Sequence, residues 1–320
     1  MRLKTIAILL GALLAVPCLP LELTAKYLQK QSQKTFDAPH FASFDYTSIS
    51  HHILVKACAH GSAAEKDVTL ILDTGTNRTT LSPELISLLK LPRLGPSTTI
   101  GTGGVAAQSS VYDLPELQAN GYKTDHLRAG TDEFPRGVDG LIGMDFLKQF
   151  VVVLDYPHRR WALMDGEFDD VGLREIKSLP FVRGNFDKIF VASLLPSGAK
   201  VYLQLDTGAD IGADAMLHED SIAGLKLGRP IAKWGLQDAT GDYGVPVYPI
   251  PWIDIGDLRI KPATIAVHPT SSPHFDELPT GLIGVQVLER YVVEINSRNR
   301  FVRLFGTRHP SSREAGRKRR

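Results

Sequence analysis

Cysteine is scarce: the 320 residues contain two, Cys18 and Cys58. A disulfide framework is therefore excluded, and if the N-terminal segment is removed Cys58 is left with no partner. A chain of this length can hold a sizeable core together without one. Charge of one sign is lacking as well. A net charge of +1 with 22% charged residues gives no global field to attract nucleic acid. The apolar run Ile6 to Val16, behind Arg2 and Lys4, is too short for an ordinary membrane span and fits a secretory signal. Leu23-Thr24-Ala25 and Val16-Pro17-Cys18 are the candidate cleavage sites, and Pro17 fits a lipoprotein site badly. Read on to Leu23, the same stretch makes an uncleaved anchor and leaves membrane attachment open. Either way an exported protein, periplasmic or secreted, is expected. Strand–helix–strand alternation is missing, which argues against a doubly wound parallel sheet.

Metal and nucleotide signals are also absent. The histidines, His51-His52 among them, show no metal-ligand spacing with cysteines or carboxylates and read as surface or edge residues. No metal and no cofactor is expected. Gly101-Thr102-Gly103-Gly104 lacks the Gly-Lys-Ser/Thr ending of a phosphate loop.

What the chain does have is a repeat. Asp-Thr-Gly occurs at Asp73-Thr74-Gly75, within VTLILDTGTNRTTLSPEL, and at Asp206-Thr207-Gly208, within VYLQLDTGADIGADAML. One such tripeptide arises by chance in roughly one chain in ten to twenty of this length. Two with matched flanks indicate duplication. Gly140-Leu141-Ile142-Gly143 and Gly281-Leu282-Ile283-Gly284 open blocks that align without a gap to Met164 and Phe305. VYDLPEL from Val111 pairs with VYPIPWI from Val247, Lys90-Leu91 with Lys226-Leu227, and ILVKACAHG from Ile53 with KIFVASLLPSG from Lys188. The expected organisation is a signal peptide or anchor at 1–25, a linker at 26–50, a first lobe at 51–165, a connection at 166–177, a second lobe at 178–307 and a basic tail at 308–320. The tail reads as solvated chain, with weak contact to an anionic membrane as the sharper reading.

Local patterns predict a mostly β fold. Period-2 or β-branched runs lie at Ile53–Ala57, Val68–Leu72, Val151–Leu154, Ile189–Ser193, Val201–Leu205, Thr264–Val267 and Val292–Ile295. Ser82 followed by Pro83 predicts a helix to Leu89, with a counterpart at about Ala215 to Leu225. Single helical turns are expected at Met144–Gln149 and Val285–Arg290.

These motifs resemble the aspartic proteases of the pepsin-like and retropepsin-like superfamily, over roughly Ser50 to Thr307. Leu205-Asp206-Thr207-Gly208-Ala209-Asp210 is similar to the retropepsin motif, and Asp73-Thr74-Gly75-Thr76 to a pepsin half. The resemblance implies two β-barrel lobes about a pseudo-twofold axis, with the active site between them. It implies an endopeptidase acting on peptide or protein, without metal or covalent intermediate, and a dyad of Asp73 and Asp206. Thr74 and Thr207 would lock the dyad across the lobes, and Thr76 would bond its own lobe's carboxylate. Gly75 and Gly208 would permit the tight turn and close approach. Leu141-Ile142-Gly143 and Leu282-Ile283-Gly284 would pack under the catalytic loops. Asp210 and Asn77 are candidate substrate contacts, or simply caps of the following turn. Gly103, Gly104, Thr240 and Gly241 suit flap tips over the cleft. Both loops stand in one chain, so a monomer is expected. A peptide-binding or scaffolding protein on the same fold is the second reading. A third, Asp73, Asp206 and Asp210 on a hard cation, suffers from too few acids.

Overall fold

In a computed structural model the described residues are 40–47, 51–100, 106–169, 172–238, 241–268 and 280–306. Alternation of inward apolar and outward polar residues sets the first lobe. Ile53–His60 buries Ile53, Val55, Ala57 and Ala59 and turns Lys56, Cys58 and His60 outward. It pairs antiparallel with Glu65–Leu72, which runs parallel to Gly140–Ile142. That short strand pairs with Thr80–Leu81, then come Tyr122–Thr131 and Ala106–Ala119. Ala106–Ala119 returns to pair with Ile53–His60 and closes a six-stranded barrel. Closure removes the open edges that a free sheet would present.

The second lobe repeats the order. Ile189–Leu194, Lys200–Leu205, Thr280–Ile283, Ala215–His218, Ala263–His268 and Gly241–Ile250 follow one another. The strand that is continuous in the first lobe is broken here at Pro251-Trp252, and Ile253–Ile255 makes the return pairing to Ile189–Leu194. The chain is thus β-rich, with two retropepsin-like barrels.

A sheet shared by both lobes joins them. Val151–Asp155 pairs antiparallel with Val292–Asn296, in the register Val151–Asn296, Val153–Glu294 and Asp155–Val292. The Gly140/Gly281 alignment equates Val153 with Glu294 and Val151 with Val292. The pairing is therefore its own image under exchange of the lobes, and the pseudo-twofold axis passes between Val153 and Glu294. Glu294 is fully buried and accepts a hydrogen bond from Arg303 Nε. Arg160–Met164 and Phe301–Gly306 flank the central pair.

Ser82 caps the helix Pro83–Leu89, its Oγ accepting from the Leu85 N–H at 3.2 Å, and Lys90 ends it in the left-handed region. Its counterpart differs from expectation. Ala215–His218 is a strand, parallel to Ala263–His268, and only Glu219–Ile222 forms a short 3-10 turn. His218 stands at the place of Ser82, so the Ala-Met-Leu run matches the barrel strand Thr80–Leu81, and without a proline after His218 only the short turn follows. Ala42–Ser43 and Asp45–Tyr46, in the stretch read as a linker, pair with Arg160–Trp161 and Ile53–Leu54. Two residues are too few to show a period. Among the described residues no helix is long and apolar enough to cross a membrane.

Candidate active site

Each Asp-Thr-Gly loop begins where a buried strand stops. Leu70 and Leu72 on one side, and Leu203 and Leu205 on the other, are fully buried, each contributing about 1.5–3 kcal/mol. Beyond Leu72 the chain leaves the sheet, and the Asp73 N–H donates to the Ile142 carbonyl at 3.1 Å. Asp206 does the same to Ile283 at 3.0 Å. Leu141-Ile142 and Leu282-Ile283 thus run beside the strands that carry the acids. Gly143 and Gly284 follow where a side chain has no room. A Cβ on Gly143 would lie 2.7 Å from the Arg78 carbonyl carbon, and one on Gly284 2.1 Å from the Ala209 oxygen.

The two loops meet on the axis. Thr74 Oγ1 donates to the Leu205 carbonyl at 2.9 Å, and Thr207 Oγ1 donates to the Leu72 carbonyl at 2.8 Å. Each hydroxyl also accepts from the other threonine's N–H, at 3.0 and 3.1 Å. Four buried bonds, two from each lobe, satisfy every group at the crossing. Asp73 and Asp206 face each other across the crossing, each carboxyl packed against the other lobe's glycine. Gly75 N–H donates to Asp73 Oδ1 at 2.7 Å and Gly208 N–H to Asp206 Oδ1 at 2.9 Å. A Cβ on Gly75 would fall 2.2 Å from Asp206 Cγ, and one on Gly208 2.5 Å from Asp73 Cγ. Close approach, not backbone freedom, is what requires glycine at both positions. Thr76 serves Asp73 through its backbone N–H.

Burial pushes both carboxyls above their ordinary range. For Asp206 the negative charge of Asp73 adds to it, and the rise is large, opposed by the Gly208 N–H and the charge of Lys188. For Asp73 the Gly75 N–H and the charge of His52 work the other way. Two carboxylates about 3 Å apart repel by on the order of 5 kcal/mol at an effective dielectric of ~20. The pair therefore keeps one proton between them where lone carboxylates would have lost both.

Four contributors were not singled out from sequence. Gln204, fully buried, donates from Nε2 to the Gly75 carbonyl at 2.9 Å. The signal was a polar residue inside the apolar run VYLQLD, where the first lobe has Ile71. His52 and Lys188 occupy matching places ahead of the two lead-in strands, one influencing Asp73 and the other Asp206. Trp234 donates from Nε1 to the Asp210 carbonyl at 3.1 Å. Its ring lies 2.2 Å from where a Cβ on Gly212 would be, and Gly212 has φ +61°.

Of the candidate substrate contacts, Asp210 already accepts from the His51 N–H at 3.1 Å and from Gln286 Nε2. Asn77, half-buried, accepts at its carbonyl from the Asp145 N–H. Hairpins built on Arg93–Ile100 with Ala106–Ala119, and on Ala232–Asp238 with Gly241–Ile250, are present. Gly103, Gly104 and Thr240 lie outside the described residues, whereas Gly241 opens the second strand of its hairpin opposite Asp238. Tyr112 and Tyr248 are partly buried against the core.

Residues 59–149 match the family described as gag-polyprotein putative aspartyl protease. No curated protein matches the chain.

Proposed function

We propose that this retropepsin-like chain of the aspartic protease superfamily is an endopeptidase that cleaves peptide bonds through a water held by Asp73 and Asp206. The observation that carries the reading is the approach of two carboxyls, Asp206 buried and Asp73 half-buried, about a pseudo-twofold axis, each against the other lobe's glycine. The ionised partner takes a proton from the water as its oxygen attacks the peptide carbonyl carbon. The protonated partner donates to the carbonyl oxygen as charge develops there. The tetrahedral diol then collapses. The dyad returns a proton to the amide nitrogen, the C–N bond breaks, and the pair recovers its single proton. The roles belong to the pair as a unit.

The threonine crossing supports the reading because it holds the carboxyls in place, which a hydrolytic dyad needs more than a binding surface does. Digestion of a peptide library by the full chain, with and without a statine-type inhibitor, tests it. Cleavage that the inhibitor stops and that Asp73→Asn and Asp206→Asn both lack is the expected result. A folded wild-type chain that binds peptides without cutting them would leave the scaffold reading in its place.

A further inference from the structure

Well away from the dyad, the outward face of the first barrel gathers a different set of groups. Cys58 and His60 alternate on one strand and point the same way. Register places Glu65 and Glu116 on either side of His60, and Asp67 and Gln118 on either side of Cys58. The ligand atoms of Cys58, His60 and Glu65 all lie within 4.8 Å of one another. Sequence spacing did not reveal this, because the sheet rather than a motif brings them together.

We propose that Cys58, His60 and Glu65 bind a zinc ion, with Glu116 orienting the imidazole. The donor set is one thiol, one imidazole and one carboxylate, which suits a borderline cation in tetrahedral geometry with water as the fourth ligand. A sulfur ligand argues against Ca²⁺ or Mg²⁺. His60 Nδ1 lies 3.5 Å from Glu65 Oε2 and faces the ion's place. Nε2 lies 3.4 Å from Glu116 Oε1 on the opposite side. A ligating histidine usually needs such a carboxylate, which fixes the tautomer and the ring. Glu116 in turn accepts from Lys123 Nζ at 2.6 Å. Binding replaces the thiol proton, which leaves to solvent. Zn²⁺ with one thiolate, one carboxylate, neutral imidazole and water then carries no net charge. Glu65 is three-quarters exposed and can swing the short distance to close the site.

The location defines the role. Glu65 begins the strand that ends next to Asp73, and eight strand residues span roughly 25 Å. An ion there cannot touch the dyad. It ties Ile53–His60 to Glu65–Leu72 at the far end of the strand that carries Asp73.

The test is titration of the reduced, metal-stripped full chain with Co²⁺, then Zn²⁺, beside Cys18→Ser, Cys58→Ser and Glu65→Gln. One equivalent of Co²⁺ should give the intense absorption of a four-coordinate ion with a thiolate charge-transfer band, and Zn²⁺ should displace it. Cys18→Ser should keep the band, Cys58→Ser should lose it, and Glu65→Gln should weaken binding at least tenfold. Zn²⁺ should raise the unfolding temperature of Cys18→Ser but not of Cys58→Ser, with the metal-free proteins unfolding together. A band that survives in Cys58→Ser, a six-coordinate spectrum without thiolate absorption, or no saturable binding would overturn the proposal. If Cys58→Ser does not fold, Glu65→Gln decides: undiminished affinity there overturns it.

Discussion

Gln204 of the second lobe donates to the carbonyl of Gly75 in the first, at 2.9 Å. The Gly75–Thr76 peptide so held turns its N–H toward Asp73. At the matching place the first lobe carries Ile71, which has no hydrogen-bonding group to return the contact. Beyond the reciprocal threonine bonds, this brace on the loops comes from the second lobe alone. Gln204 Oε1 is buried without a hydrogen bond, which offsets part of what the Gly75 bond contributes to stability. Gln204→Leu should lower kcat about tenfold, the worth of one positioning bond of about 1.4 kcal/mol. KM should change little, and the unfolding temperature should fall only modestly, because losing the unbonded Gln204 Oε1 offsets part of the cost of the stranded Gly75 carbonyl. Unaltered kcat in a folded variant would remove Gln204 from the positioning of Asp73.

Asp73→Asn and Asp206→Asn should each abolish cleavage while the fold persists, since an amide supplies neither the acid nor the base. Asp206→Asn should also be the more stable protein at neutral pH. A carboxyl whose pKa is raised on folding adds stability below its unfolded value and loses it as pH climbs through the folded one. Asp206 is in that position, through burial and the charge of Asp73. We expect a gain of about 1–2 kcal/mol at neutral pH, vanishing near pH 3, below the ordinary Asp value of about 3.9. Urea unfolding of both proteins across that range measures it. A variant less stable than wild type at neutral pH counts against the burial argument.

Thr207→Val should cost about 2–6 kcal/mol, because it strands the Thr74 N–H and the Leu72 carbonyl together, at about 1–3 kcal/mol each. Thr207→Ser keeps the hydroxyl and should lose no more than about 1 kcal/mol. Equal losses in the two variants, by thermal or urea unfolding, would mean that packing and not the crossing bonds holds the loops together.

Specific activity should not depend on protein concentration. Both carboxyls belong to one chain, and the lobes share a sheet through Val151–Asp155 and Val292–Asn296. Activity per molecule that collapses on dilution, with a dimer mass by light scattering, would show that the working site is built between chains.

Much of this was legible in the residues, and for definite reasons. The dyad could be read because duplication puts the same tripeptide after the same kind of strand twice. The joining strands could be read because VVVLD and VVEIN are buried on both faces and so run continuously apolar or nearly so. The helix expected near Ala215 failed because apolar content without Pro or a Ser cap does not distinguish a short helix from a barrel strand. The Cys58, His60 and Glu65 group was invisible to spacing rules, since cross-strand register decides it. Gln204 announced itself only as a polar intruder whose partner lies 129 positions away.

The Val153–Glu294 pair bears on which copies of this chain can recombine. A strand that pairs with its own equivalent about a twofold axis can in principle pair with the same strand of another molecule. Two first lobes joined that way would set Val153 against Val153. Two second lobes would set Glu294 against Glu294, two acids brought together where the single chain buries one beside Arg303. The substitution that breaks the symmetry thus acts as an address label: the Val292–Asn296 strand accepts the first lobe and refuses a copy of itself.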